Sequence, residues 1–111
     1  MGFTLTFIQL FLLGIHLILP LLLFFALLII VLGQIVGRIE GWNKFDSFYW
    51  SFITALTVGY GDIRPIRKRS KTISILIALI GFMFTGVFVA ITVATATEAL
   101  KKYIDLSVLR M

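Results

Sequence analysis

Between Thr57 and Asp62 the chain reads Thr-Val-Gly-Tyr-Gly-Asp, a run suited to chemistry done by the main chain more than by side chains. A cation that leaves water needs other oxygens around it, because moving a bare ion into a low-dielectric medium costs on the order of 20 kcal/mol in the Born limit. Backbone carbonyls supply such oxygens when successive ones turn toward one axis, and that requires dihedrals alternating between right-handed and left-handed regions. Glycine accepts positive φ at little cost. Gly59 and Gly61 therefore alternate with Val58 and Tyr60, whose side chains point away from the ions. Thr57 adds a hydroxyl oxygen. Five near-extended residues reach roughly 15 Å, enough for several ions in file. One copy offers one carbonyl per layer, too few for a hydration shell. With a single such run and no internal repeat, closed cyclic assembly of identical chains is the simplest solution. Taken alone, the hexapeptide also reads as an ordinary loop of a membrane protein.

The run resembles the selectivity-filter signature of potassium channels. The resemblance continues in Tyr49, Trp50, Ser51, Thr54, Ala55 and Leu56 before it and in Ile63, Arg64 and Pro65 after it, and covers roughly 39–99. It implies an all-α membrane protein: two transmembrane helices with a re-entrant pore helix and a filter loop, assembled as a fourfold-symmetric tetramer. It implies a pore conducting K+ passively, not an enzyme, with K+ held at Thr57, Val58, Gly59 and Tyr60 and no other cofactor. Tyr49, Trp50 and Asp62 support the filter in this reading, and Arg64 lines the outer mouth, where some relatives hold external tetraethylammonium on an aromatic ring. The implied partners are identical chains, membrane lipids and K+. Departures are visible. Tyr49 stands where many relatives have tryptophan, Ile53 where some have a buried glutamate, and Leu56 where threonine is common.

Composition agrees with a membrane setting. Of 111 residues 60% are hydrophobic and 14% charged, the mean hydropathy is +1.11, and there is no cysteine. Soluble domains run near 45–50% apolar with about 25% charged. The net charge of +5 comes from short flanks of apolar segments, which suit lipid head groups better than nucleic acid. The first fifteen residues carry no Lys or Arg and no cleavage signal, so the segment is expected to be retained.

The elements that must position the filter follow in order. Residues 1–36 form an outer helix, charge-free from Phe3 to Val36, with Pro20 marking a kink or a helix start; one long helix is preferred to an interfacial segment followed by a shorter span. His16 reads as a side chain at the head-group level and Gln34 as a polar residue meeting the interface or a neighbouring helix. Residues 37–44 form a turret anchored by Trp42, 45–56 a pore helix begun by Asp46 or Ser47, 57–62 the filter and 63–71 an outer loop. Residues 72–97 form the inner helix and 98–111 a cytoplasmic tail.

On the inner helix the resemblance places a gating hinge at Gly81, while Gly86 reads as a packing glycine. Phe82, Thr85, Val89, Val93 and Thr97 recur at helical spacing as the lining of a cavity and its gate. Glu98 with Lys101 and Lys102 reads as a surface ion pair. Seven of the ten Lys and Arg residues fall between Arg38 and Lys71. Charge counting alone would put the filter loop in the cytoplasm, whereas the resemblance puts it outside with both termini cytoplasmic. The expectation follows the resemblance, in a cell membrane. A weakly selective cation channel and a non-conducting regulatory subunit are the alternatives.

Overall fold

The computed structural model describes residues 2–110, with side chains as far as Ile104. Among them are three helices and no strand: α1 (Gly2–Glu40), α2 (Lys44–Ala55) and α3 (Lys68–Arg110). α1 and α3 are both long and apolar enough to cross a membrane, and α2 is too short to span one.

α1 runs unbroken through Pro20. It also continues to Glu40 instead of ending at 36, because Gly37, expected in the turret, is a helical packing residue. The helix stops where Gly41 turns left-handed at φ 80°. The Trp42 amide then donates to the Gly37 carbonyl at 2.8 Å, the six-to-one bond of a Schellman ending. α2 begins two residues earlier than Asp46: Asn43 is its cap, its side chain accepting from the Asp46 amide at 2.7 Å while Ser47 Oγ donates to the Asn43 carbonyl at 2.8 Å. α3 starts at Lys68 instead of 72 and continues beyond 97, so the expected tail is helical as far as it is described. Its side chains beyond Ile104 lie outside the described residues.

The chain divides into two compact units. The larger, Leu21–Thr85, holds the second half of α1, all of α2, the filter run and the first half of α3. Its core joins Ile29 and Val36 of α1, Trp50 and Ala55 of α2, and Ile77 and Ile80 of α3. α2 approaches α1 closely because small residues meet on both sides. Gly33 and Gly37 lie one turn apart, and Ser51 and Ser47 rest on them so tightly that a Cβ at either glycine would overlap a serine side chain. In lipid, where apolar surfaces gain little by meeting, such small-residue contact is a principal means of helix association.

At the far end of this unit Glu40 holds the start of α3. Its carboxylate accepts from the Ile66 amide at 2.6 Å, the Arg67 amide at 3.3 Å and Ser70 Oγ at 3.0 Å. The two amides lie just ahead of α3 and the hydroxyl in its first turn, so the carboxylate caps the helix start.

The smaller unit pairs the α1 residues up to Pro20 with the α3 residues from Gly86 onward. Gly14 lies against Ile91, and Phe3 meets the Tyr103 ring edge-on at 6.4 Å. Thr6 and the Tyr103 hydroxyl are hydrogen-bonded at 3.1 Å. Ala99 is fully buried here, and Lys101 pairs with Glu98 at 3.8 Å.

Candidate functional site

α2 ends in the segment expected to do the chemistry. The Leu56 amide donates back to the Phe52 carbonyl at 2.9 Å and Thr57 to Thr54 at 3.2 Å. The Ile53 carbonyl then accepts from both Val58 and Gly59, at 3.0 and 3.1 Å. The first part of the run is thereby pinned to the last turn of α2 by main-chain bonds. Sequence reasoning had treated Ile53 only as the site of a missing glutamate, and a carbonyl acceptor leaves no trace in residue type.

Left-handed backbone recurs at every second residue of the run: Thr57 at φ 63°, Gly59 at 58° and Gly61 at 82°. The two glycines were expected. Thr57 was not, and it is the one non-glycine with positive φ among the described residues. A β-branched residue in this region is strained by about 1–2 kcal/mol, and such strain persists only where the surroundings over-determine the backbone. The two bonds to Ile53 immediately after it, and its own to Thr54, are those surroundings.

The far end of the run is held by a side chain. Tyr49 Oη donates to Asp62 Oδ2 at 3.0 Å, so a phenol makes the bond that an indole would make at this position. Removal of the phenol from water, and then the Asp62 carboxylate beside it, raise the Tyr49 pKa above the usual tyrosine value. Trp50, the other expected support, makes no such bond. It is buried, packs edge-on against Trp42 at 5.2 Å, and lines a cavity of about 270 Å³ behind the run together with Tyr49, Ile53, Gly59 and Asp62.

The opposite side of the run is open. Residues 56–62 are all exposed, Tyr60 at 72% and Val58 at 46%. Arg64 is exposed too, its side chain folded near Gly61 and not paired with Glu40, whose oxygens face Ile66, Arg67 and Ser70.

The inner-helix candidates divide. Gly81 is buried flush against the Ala55 carbonyl, which a Cβ would overlap, whereas a Cβ on Gly86 meets nothing within 4 Å. Phe82 is 61% exposed in the larger unit, and Val89, Val93 and Thr97 are exposed in the smaller. Thr85 differs from its expected neighbours: its Oγ1 is buried with no hydrogen-bond partner.

A family model described as an ion channel matches residues 4–98. The chain is 41% identical over 69 residues to TWiK family of potassium channels protein 7 of Caenorhabditis elegans, 60% of this chain and 12% of that protein. It is 32% identical over 81 residues to the YugO protein of Bacillus subtilis, 70% of this chain and 25% of that one. Potassium channel protein 1 of Methanocaldococcus jannaschii is 38% identical over 61 residues, 55% of this chain and 17% of the relative. The chain thus corresponds to a quarter or less of the length of each. No solved structure matches it significantly.

Proposed function

We propose that this chain, which belongs to the ion channel family, forms one quarter of a potassium-selective pore whose filter is Thr57, Val58, Gly59, Tyr60 and Gly61. The observation that carries the reading is the alternation of left-handed backbone at Thr57, Gly59 and Gly61. It is the dihedral pattern by which neighbouring carbonyls can be turned toward a common axis, with K+ replacing water by carbonyl oxygens at Thr57, Val58, Gly59 and Tyr60. The names of two relatives as potassium channel proteins favour potassium as the ion.

Cyclic assembly of identical chains follows from the chemistry of the run, and the resemblance to potassium channels sets the number at four. A single chain leaves its carbonyl file with one wall, and the exposed Val58, Tyr60 and Phe82 side chains support identical neighbours around it. Val89, Val93 and Thr97 line the route inward, and Arg64 stands at the outer mouth. The filter loop faces outward and both termini face the cytoplasm. The Tyr49–Asp62 bond argues against a filter that widens for want of aromatic support.

Potassium flux through the purified protein in liposomes tests the reading. Flux that barium blocks is expected, since barium has nearly the radius of potassium and twice its charge and lodges at Thr57. Absence of flux from the protein alone would favour a non-conducting subunit.

A further inference from the structure

The basic stretch that follows the filter run has no part in holding ions in file. Residues 64–71 carry five cations, Arg64, Arg67, Lys68, Arg69 and Lys71, and no acid. All five are exposed. Lys68, Arg69 and Lys71 lie in the first turn of α3, which has no acidic residue. A helix start carries the positive end of the helix dipole, where acids stabilise and bases do not. The chain therefore gathers positive charge where its backbone already supplies some.

A cavity of about 520 Å³ opens at this place, lined by Asp62, Arg64, Pro65, Ile66 and Lys71. Arg64 comes to it from the end of the filter run, with its side chain beside Gly61, and Lys71 from the first turn of α3. Neither cation is in an ion pair, since the one pair among the described residues joins Lys101 to Glu98. The neighbouring carboxylates are engaged. Asp62 accepts from Tyr49 Oη at 3.0 Å. Glu40 accepts from the Ile66 and Arg67 amides and from Ser70 Oγ, bonds that also fix the backbone between Arg64 and Lys71. With one carboxylate against two cations in its lining, the cavity keeps a net positive charge.

We propose that this cavity binds a multivalent oxyanion of the phosphate class, held between the Arg64 guanidinium and the Lys71 ammonium. The planar fork of Arg64 suits two oxygens at once, and Lys71 adds a compact charge. A multiply charged anion offsets both cations together, which a single chloride does not. Only Pro65 and Ile66 give the lining apolar surface, so the occupant is a soluble anion and not the head group of a lipid, whose chains need an apolar wall. Its place beside the end of the run makes it a counter-charge to Arg64. The site depends on the geometry of the loop before α3 and not on which ion the chain conducts.

Calorimetric titration of the purified protein with pyrophosphate, at constant ionic strength, tests this directly. Dihexanoyl phosphatidic acid, titrated in parallel, presents the same phosphate chemistry on acyl chains. The wild type is expected to bind pyrophosphate saturably and at least as tightly as the lipid. R64Q/K71Q weakens pyrophosphate binding by about tenfold or more, a difference of about 1.4 kcal/mol. R38Q/K44Q, an equal charge change on exposed residues outside the cavity, leaves it unchanged.

Absence of saturable binding by the wild type overturns the proposal, as does undiminished binding by R64Q/K71Q. Equal loss in R38Q/K44Q also overturns it, since net charge and not the cavity would then be responsible. Phosphatidic acid bound about tenfold more tightly than pyrophosphate would make a lipid head group the occupant and overturn the assignment to a soluble anion.

Discussion

Thr57 and Gly59 share a left-handed backbone but differ in what a substitution would do. Gly59 has open space around it, so the obstacle to alanine there is the dihedral at φ 58° alone, about 1–2 kcal/mol. In the proposed tetramer the cost is paid in each of four chains, and the expected outcome of Gly59→Ala is loss of potassium over sodium selectivity in a protein that still assembles. Unchanged permeability ratios in the variant would remove Gly59 from the filter. Tyr49 gives a second residue-scale test. Its raised pKa means that the neutral phenol is favoured in the folded chain. The stabilisation is therefore whole below the unfolded tyrosine value near 10 and is lost as pH rises through the higher folded value. Above that point a phenolate faces the Asp62 carboxylate. Alkaline pH should destabilise the filter end of the wild type, as read from thermal melting against pH, while Tyr49→Trp, whose indole donates without titrating, should flatten that limb. The glycines were legible in the sequence because residue type dictated them, and the Tyr49–Asp62 pair because the resemblance placed both residues as supports of the filter. The strain at Thr57 and the Ile53 carbonyl were not, because both are properties of the main chain.

α2 is placed by glycines whose roles differ from those expected of them. Gly37 read as a turret residue because charges and glycines cluster there, yet Gly33 and Gly37 at a four-residue spacing, opposite Ser47 and Ser51 at the same spacing, were a packing signal open to view. Gly37→Ala is expected to destabilise the protein by about 1–3 kcal/mol, the usual cost of overpacking, measured as a lower melting temperature in detergent. Gly81 presents the same physics at the other end of α2. Bending there was expected to gate the pore without touching selectivity, but its contact with Ala55 couples it to the turn that holds the filter. Gly81→Ala should therefore lower stability and disturb selectivity together. Gly86→Ala, with nothing to meet, should be neutral or stabilising by up to about 1 kcal/mol through helix propensity. The reverse ranking would return Gly81 to the role of a free hinge. Helix existence was legible from apolar length, whereas the ends were not: the Schellman turn at Gly41, the Asn43 cap and the Glu40 carboxylate extend or begin helices through local bonds that composition does not display.

On the scale of the proposed tetramer, Arg64 would place a fourfold ring of guanidinium groups near the outer mouth. Arginine stays charged at any accessible pH, so the ring repels both tetraethylammonium and approaching potassium. Weak external block and conductance depressed at low salt are expected. The depression should fade as salt rises, because the Debye length shrinks from about 30 Å at 0.01 M to about 3 Å at 1 M. Arg64→Tyr should raise block and low-salt conductance together, and a variant that changes neither would move Arg64 away from the mouth. The central claim, that four Thr57–Gly61 runs select potassium, is tested most directly by the reversal potential across a bilayer with potassium on one side and sodium on the other. A carbonyl filter of this kind predicts reversal displaced far toward the potassium equilibrium potential. Reversal near zero, with sodium carrying comparable current, would contradict it.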